Sequence, residues 1–180
     1  MARQALNHHN LSKAMKKQLL TERKRGSVEV AERLKFMNGT QRHAVLSTVS
    51  DGQPYTSLVV FAMTPEMKSV VFATPRRTAK YRNILKNNRV ALLIDTRSNT
   101  DTAYMESEAV TVIGTALPIR RSSKREFFAN ILMEKHPALK GFIQSKTTAI
   151  IVVEAEKCFH TGSFQEVSEW CIKNHRFTNV

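Results

Sequence analysis

After Asn38-Gly39 the apolar residues of this chain change their spacing from helical to alternating, and that change constrains the fold more than any other feature. Val30, Leu34 and Met37 stand at i, i+4 and i+7, one face of a helix for which Asn38-Gly39 is a stop signal. "HAVLSTV" (43–49), "YTSLVVFAM" (55–63) and "KSVVFAT" (68–74) then alternate with period two, joined by the short turns "SDGQP" and "TPEM". Such short joins predict an antiparallel meander, because parallel neighbours need crossovers of about a dozen residues or more. "RVALLID" predicts a fourth strand. "EAVTVIGTA" predicts a fifth that stops before Pro118, and "TTAIIVVEAEKCFHTG" a last long strand or pair of strands, with "FQEVSEW" opening a short tail element.

Two helices interrupt the strands. Thr78 can N-cap the first, with Tyr81, Ile84 and Leu85 on its apolar face and Asn87-Asn88 at its end. "SSKREFFANILMEKH" gives the second: Ser123 and Glu126 have capping-box spacing, and Phe127, Phe128, Ile131 and Leu132 stack on one side. "TRSNTDTAYMES" is a long polar loop. The expected fold is mainly β with helices (α+β): about six antiparallel strands in a small barrel or curved sheet, with helices over its open places. Regular βαβ alternation, GxGxxG and GxxxxGK[ST] are all absent, which argues against Rossmann, TIM and P-loop architectures.

At 180 residues the chain suits one domain with a terminal addition. Residues 1–38 read as a basic helical N-terminal arm, helical from about Leu11 to Leu20 and again before Asn38, and 39–180 as the barrel. The formal charge is +13, and residues 1–25 alone hold seven basic side chains against one Glu. Cys158 and Cys171 form no CxxC and read as reduced thiols, and the six His are scattered without metal-ligand spacing. No apolar run approaches the twenty or so residues of a membrane helix, and the N-terminus lacks a signal peptide's apolar core, so a cytoplasmic protein away from membranes is expected.

The remaining charge is concentrated. Between Phe72 and Asp95 stand Arg76, Arg77, Lys80, Arg82, Lys86 and Arg89 with no carboxylate among them. In "ATPRRTAKYRNI" a strand ends, a loop carries two Arg, and Thr78 opens a helix with Lys80 in its first turn. Free N–H groups at a helix start, hydroxyls and cations suit an anion of phosphate size, which points to Thr74, Arg77, Thr78 and Lys80. Lys86 and Arg89 read as solvated.

"AVLSTVSDGQPYTSLVVFAM", "KSVVFATPRRTAKYRNILKNNRVALLID" and "AVTVIGTA" follow in order the pattern of the FMN-binding split-barrel family related to pyridoxamine 5′-phosphate oxidase, which this chain resembles over about residues 40–117. The resemblance implies a six-stranded antiparallel split β-barrel that binds FMN as a homodimer, with oxidoreductase activity on a small-molecule substrate. It implies that Ser57, Leu58, Val59 and Val60 meet the isoalloxazine edge and that Thr74, Arg77, Thr78 and Lys80 hold the phosphate. The chain lacks the Arg-x-x-Leu-Leu-Lys strand and the Trp-Gly-Gly-Tyr-Arg ending of oxidases acting on pyridoxamine phosphate. "FHTGSFQEVSEW" is nearer to the general flavoprotein and haem-utilisation branches, so a haem-binding or haem-degrading role is one alternative. A basic nucleic-acid-binding barrel is another, disfavoured by an aromatic content of 7%. Asp95, Glu106 and Glu108 follow strand ends, where carboxylates are usually solvated, and His160 reads as a packed or surface residue rather than a haem ligand. No catalytic dyad is visible, which a flavin enzyme tolerates because the cofactor carries the chemistry.

Overall fold

The computed structural model describes residues 23–98, 107–120, 122–162 and 166–172. Its strands are β1 (Arg23–Arg25), β2 (His43–Ser50), β3 (Gln53–Met63), β4 (Ser69–Pro75), β5 (Arg89–Asp95), β6 (Ala109–Pro118), β7 (Thr148–Gly162) and β8 (Glu166–Cys171). The described helices are α1 (Ser27–Thr40), α2 (Ala79–Lys86), α3 (Ser122–Lys135) and α4 (Lys140–Gln144), with a 3-10 turn at Pro137–Leu139. The meander forms as its short joins require. Asp51 and Gly52, at φ 52° and 81°, make the two-residue turn between β2 and β3, and the Asp-Gly pair suits those left-handed conformations.

Six strands close a ring in the order β7-β4-β3-β2-β5-β6 and back to β7, all antiparallel. β7 makes the closure. Its first part pairs with β4, its last part with β8, and its other edge with β6. β1 extends the sheet beyond β8 in parallel. The segment expected as one strand or a pair is thus one strand, Thr148–Gly162, and a bulge keeps it continuous. Opposite Ile113 and Gly114 lie Lys157 and Ala155, so Glu156 is the extra residue. Here the backbones approach so closely that a Cβ on Gly114 would fall 2.1 Å from the Glu154 carbonyl oxygen. The displaced Glu156 accepts from Arg89 Nη1 at 2.9 Å and Thr115 Oγ1 at 2.7 Å.

Two apolar clusters follow from the strand pattern. The barrel interior holds Leu46, Phe61, Phe72, Leu92, Val112 and Ile151, joined by Val30, Leu34 and Met37 of α1, each at 0% exposure. Ala62, Val71, Ala73, Ile150 and Val152 form the second, under Phe128, Ala129 and Leu132 of α3 and Ile143 of α4. β4 and the start of β7 are therefore covered on both faces, so "SVVFAT" is buried along its length instead of alternating as expected, and "AIIVV" is likewise a continuous apolar run.

Several local expectations change. α1 runs two residues beyond Asn38, whose Oδ1 instead accepts from Met63 N at 2.9 Å and Lys135 Nζ at 3.0 Å. Leu85 is exposed, and α2 buries Tyr81, Asn83 and Ile84. Ser123 lies inside α3, which begins at Ser122, so it is not the cap. Phe127 is also exposed and meets Phe128 edge-on at 5.1 Å. β6 continues through Pro118 at its end, a position that needs no N–H donor. The expected helix from Leu11 to Leu20 lies outside the described residues.

The bulge yields a stability prediction. Gly114→Ala forces its methyl against backbone that cannot rotate away, and urea unfolding should show a loss of about 1–3 kcal/mol or more. Gly141→Ala, in α4 with nothing within 4 Å of the added carbon, should be neutral or slightly stabilising. Equal stability of Gly114→Ala and the native chain would contradict the close approach at β6 and β7.

Candidate functional site

β3 is paired unequally. β2 accompanies it from Gln53 to Val60, whereas β4 pairs with it only at Phe61–Met63. Among the described residues, 53–60 therefore have a partner strand on one edge only, and the barrel is open beside them. α2 reaches across that opening through Lys80, whose Nζ donates to the Leu58 carbonyl at 3.5 Å. The contact is long and leaves donors to spare.

The helix is fixed at both ends of its inward face. Thr78 Oγ1 accepts from Tyr81 N at 3.4 Å as the N-cap, donates to Pro75 O at 2.9 Å, and lies 3.0 Å from Thr74 Oγ1. Three residues beyond Lys80, Asn83 Nδ2 donates to Thr48 Oγ1 at 3.1 Å, and Thr48 Oγ1 donates to Tyr55 O at 3.3 Å. Asn83 and Thr48 are both buried. This chain of bonds ties α2 to β2 and β3 and so sets where Lys80 points.

Thr74, Arg77, Thr78 and Lys80 thus come together at one turn, with unequal freedom to bind. Thr74 is buried and, like Thr78, is engaged within the turn. Arg77 is exposed, and its carbonyl accepts from Arg82 Nη1 at 2.7 Å. Arg76 donates to Tyr81 Oη at 3.1 Å and lies over its ring. Among the described residues no carboxylate pairs with Arg76, Arg77, Lys80 or Arg82, whereas Lys86 and Arg89 face Asp51 and Glu156. Burial holds the Lys80 ammonium below its usual range. The donors left for an anion are Lys80, Arg77 and the backbone N–H groups of Ala79 and Lys80, the Tyr81 N–H being taken by the Thr78 cap.

On β3, Leu58 is exposed and Val59 is buried in the barrel, so Val59 has only its backbone to offer. Val60 is half-buried. Ser57 Oγ is buried and has no hydrogen-bond partner among the described residues. A buried hydroxyl without a partner is costly, and a polar ring edge beside it would satisfy it. An open strand edge, an unpartnered hydroxyl and a desolvated cation without a counterion fit a flat heterocycle carrying a phosphate.

The proposed acidic residues lie elsewhere. Asp95 pairs with Arg97 at 3.0 Å. Glu108 is not simply solvated: its Oε2 accepts from Arg33 Nε at 2.7 Å and lies 2.9 Å from His160 Nε2, tying α1 to the ends of β6 and β7. His160 is buried in this cluster as a packed residue, and Glu106 lies outside the described residues. Separations of 75 and 52 residues put this grouping beyond any local motif.

A second desolvated cation is Lys135, whose Nζ sits 3.7 Å over the Phe61 ring. Burial, then the Arg42 charge, push it down to about 8, against the pull of the ring and Asn38. The folded chain therefore binds this proton less tightly than the unfolded chain, whose lysine keeps the ordinary value of 10.5. Its cost to stability is complete below pH 8 and is relieved as pH rises through the window to 10.5. In urea unfolding across that window, Lys135→Met should have a flatter pH dependence than the native chain. Parallel curves would show that Lys135 does not titrate early.

A sequence profile of the family described as pyridoxamine 5′-phosphate oxidase matches residues 29–162. A haem-binding protein from Mycobacterium smegmatis has TM-score 0.69 at 17% identity over 79% of this chain, which spans 57% of that protein. ChuZ from Campylobacter jejuni has TM-score 0.69 at 12% identity, with 82% of this chain and 61% of that one covered. An FAD-binding protein from Mesorhizobium loti has TM-score 0.58 at 13% identity, covering 72% and 92%. At such identities the likeness is one of fold. No curated protein matches in sequence. The profile match spans most of the barrel and includes both β3 and the cationic turn: the chain belongs to the pyridoxamine 5′-phosphate oxidase family.

Proposed function

We propose that the chain is an FMN-binding oxidoreductase, homodimeric and cytoplasmic, acting on a small-molecule substrate. The observation that carries this reading is Lys80, a desolvated cation with no acidic partner among the described residues, reaching across the open edge of β3 to Leu58. Lys80, Arg77 and the first N–H groups of α2 would hold the phosphate. Ser57 and the backbone of residues 57–60 would hold the ring edge, with Thr74 and Thr78 shaping the turn rather than donating. Bound flavin would supply the redox chemistry, and the chain orients it and shields one side. Pyridoxamine phosphate is not proposed as substrate, because both motifs of oxidases acting on it are missing.

Titration of the purified chain with FMN and with riboflavin tests the reading. Lys80→Ala removes a charge-assisted bond of about 1.5–3 kcal/mol and should weaken FMN roughly tenfold to a hundredfold while leaving riboflavin nearly unchanged. Lys86→Ala, at an exposed pair with Asp51, should change neither. Sedimentation equilibrium on the same sample should give a dimer mass. Equal losses of FMN and riboflavin at Lys80→Ala would remove the phosphate assignment, and a chain that binds neither would remove the flavin.

A further inference from the structure

A second cation without an acidic partner among the described residues, Arg42, lies away from α2 and next to His43 in the chain. A cleft of about 180 Å³ opens where β2 begins and β5 ends, and its walls include Gln41, Arg42, His43, Leu58, Asp95 and Arg97. Asp95 is already held by Arg97. Arg42 and His43 are exposed, and among the described residues neither has a carboxylate partner. The Arg42 charge is not cancelled nearby: after burial, it is a further cause holding Lys135 down, and it acts in the same sense on His136.

Both side chains are presented from fixed backbone. Gln41 N closes α1 on Met37 O at 2.8 Å, Arg42 O accepts from Phe61 N at 3.4 Å, and His43 opens β2 opposite Val60. Leu58 links this cleft to the cationic turn. Its carbonyl accepts from Lys80, while the residue, 61% exposed, also forms a cleft wall beside Val45. A molecule in the cleft therefore lies against the strand that the flavin reading assigns to the ring.

We propose that this cleft binds a small organic anion, with a carboxylate or phosphate between Arg42 and His43 and an apolar body on Leu58 and Val45. On the flavin reading, on which this step alone rests, that anion is the substrate. An Arg fork beside an imidazole is a good match for either oxyanion. The cleft falls short of the roughly 300–1,000 Å³ of drug-sized pockets, so the ligand is small.

Isotope-labelled full-length chain, titrated with benzoate, phenyl phosphate and neutral benzamide, tests this by the NMR shifts of the His43 ring and Arg42 side chain. Saturable shifts are expected with an anion and not with benzamide, and the tighter of the two anions identifies carboxylate or phosphate. Arg42→Gln should weaken that anion roughly tenfold or more, His43→Gln should also weaken it, and Lys140→Gln, in α4 outside the cleft, should not. Benzamide binding as well as benzoate, or an unchanged anion affinity in Arg42→Gln, overturns the proposal. FMN is titrated separately. A chain that binds the anion here but never FMN keeps this site and loses the flavin reading, and one that binds FMN but neither anion does the reverse.

Discussion

β7 has three neighbours, and the arrangement depends on one glycine. A strand that pairs with β4, then β8, while holding β6 along its other edge must bend, and the bend is the bulge at Glu156 facing Gly114. With any side chain at Gly114 the Glu154 carbonyl would have to move, and the β6–β7 ladder with it. β4 is committed to β7 over its whole length, from Ser69 to Pro75, and meets β3 over only three residues. The opening beside residues 53–60 is thus set by how the barrel closes, and α2 with Lys80 stands at it.

Two desolvated lysines show how the same physical cost can serve different ends. Lys135 has its partners within the fold: the Phe61 ring beneath it and Asn38, which also receives the Met63 amide. It joins α1, α3 and β3. Lys80 has one long contact to a carbonyl and lies among other cations, on a helix clamped by Thr78 and Asn83. A cation held in place but left without a counterion is prepared for an anion from outside.

Much of this was legible in the sequence because it is local. Period-two alternation gave the strands, Asp51-Gly52 the first hairpin, and Thr78 the start of α2. The bulge was not legible, since nothing near Gly114 names Glu154 as its neighbour. Asn38 looked like a helix stop and proved to be a tertiary junction, because the amide that it binds is 25 residues away. Spacing alone puts Leu85 and Phe127 inward, but α2 and α3 bury narrower faces than their apolar residues would fill. Within the candidate site, residue type placed Thr74 and Thr78 at the turn, yet only geometry shows their hydroxyls engaged there. Arg42 and His43 carried no signal, because the cleft is built from the ends of strands distant in sequence.

Hydrogen exchange with and without FMN tests the central claim, that the opening beside β3 and the start of α2 form one cofactor site. Residues 57–60 already lie in a strand, and the amides at the start of α2 lack helical partners, so bound FMN should slow exchange in both segments together. Slowing confined to these segments and their immediate neighbours is the predicted result. Slowing at the His160–Glu108 cluster with none at 57–60 or 77–81 would place the ligand elsewhere and contradict the account.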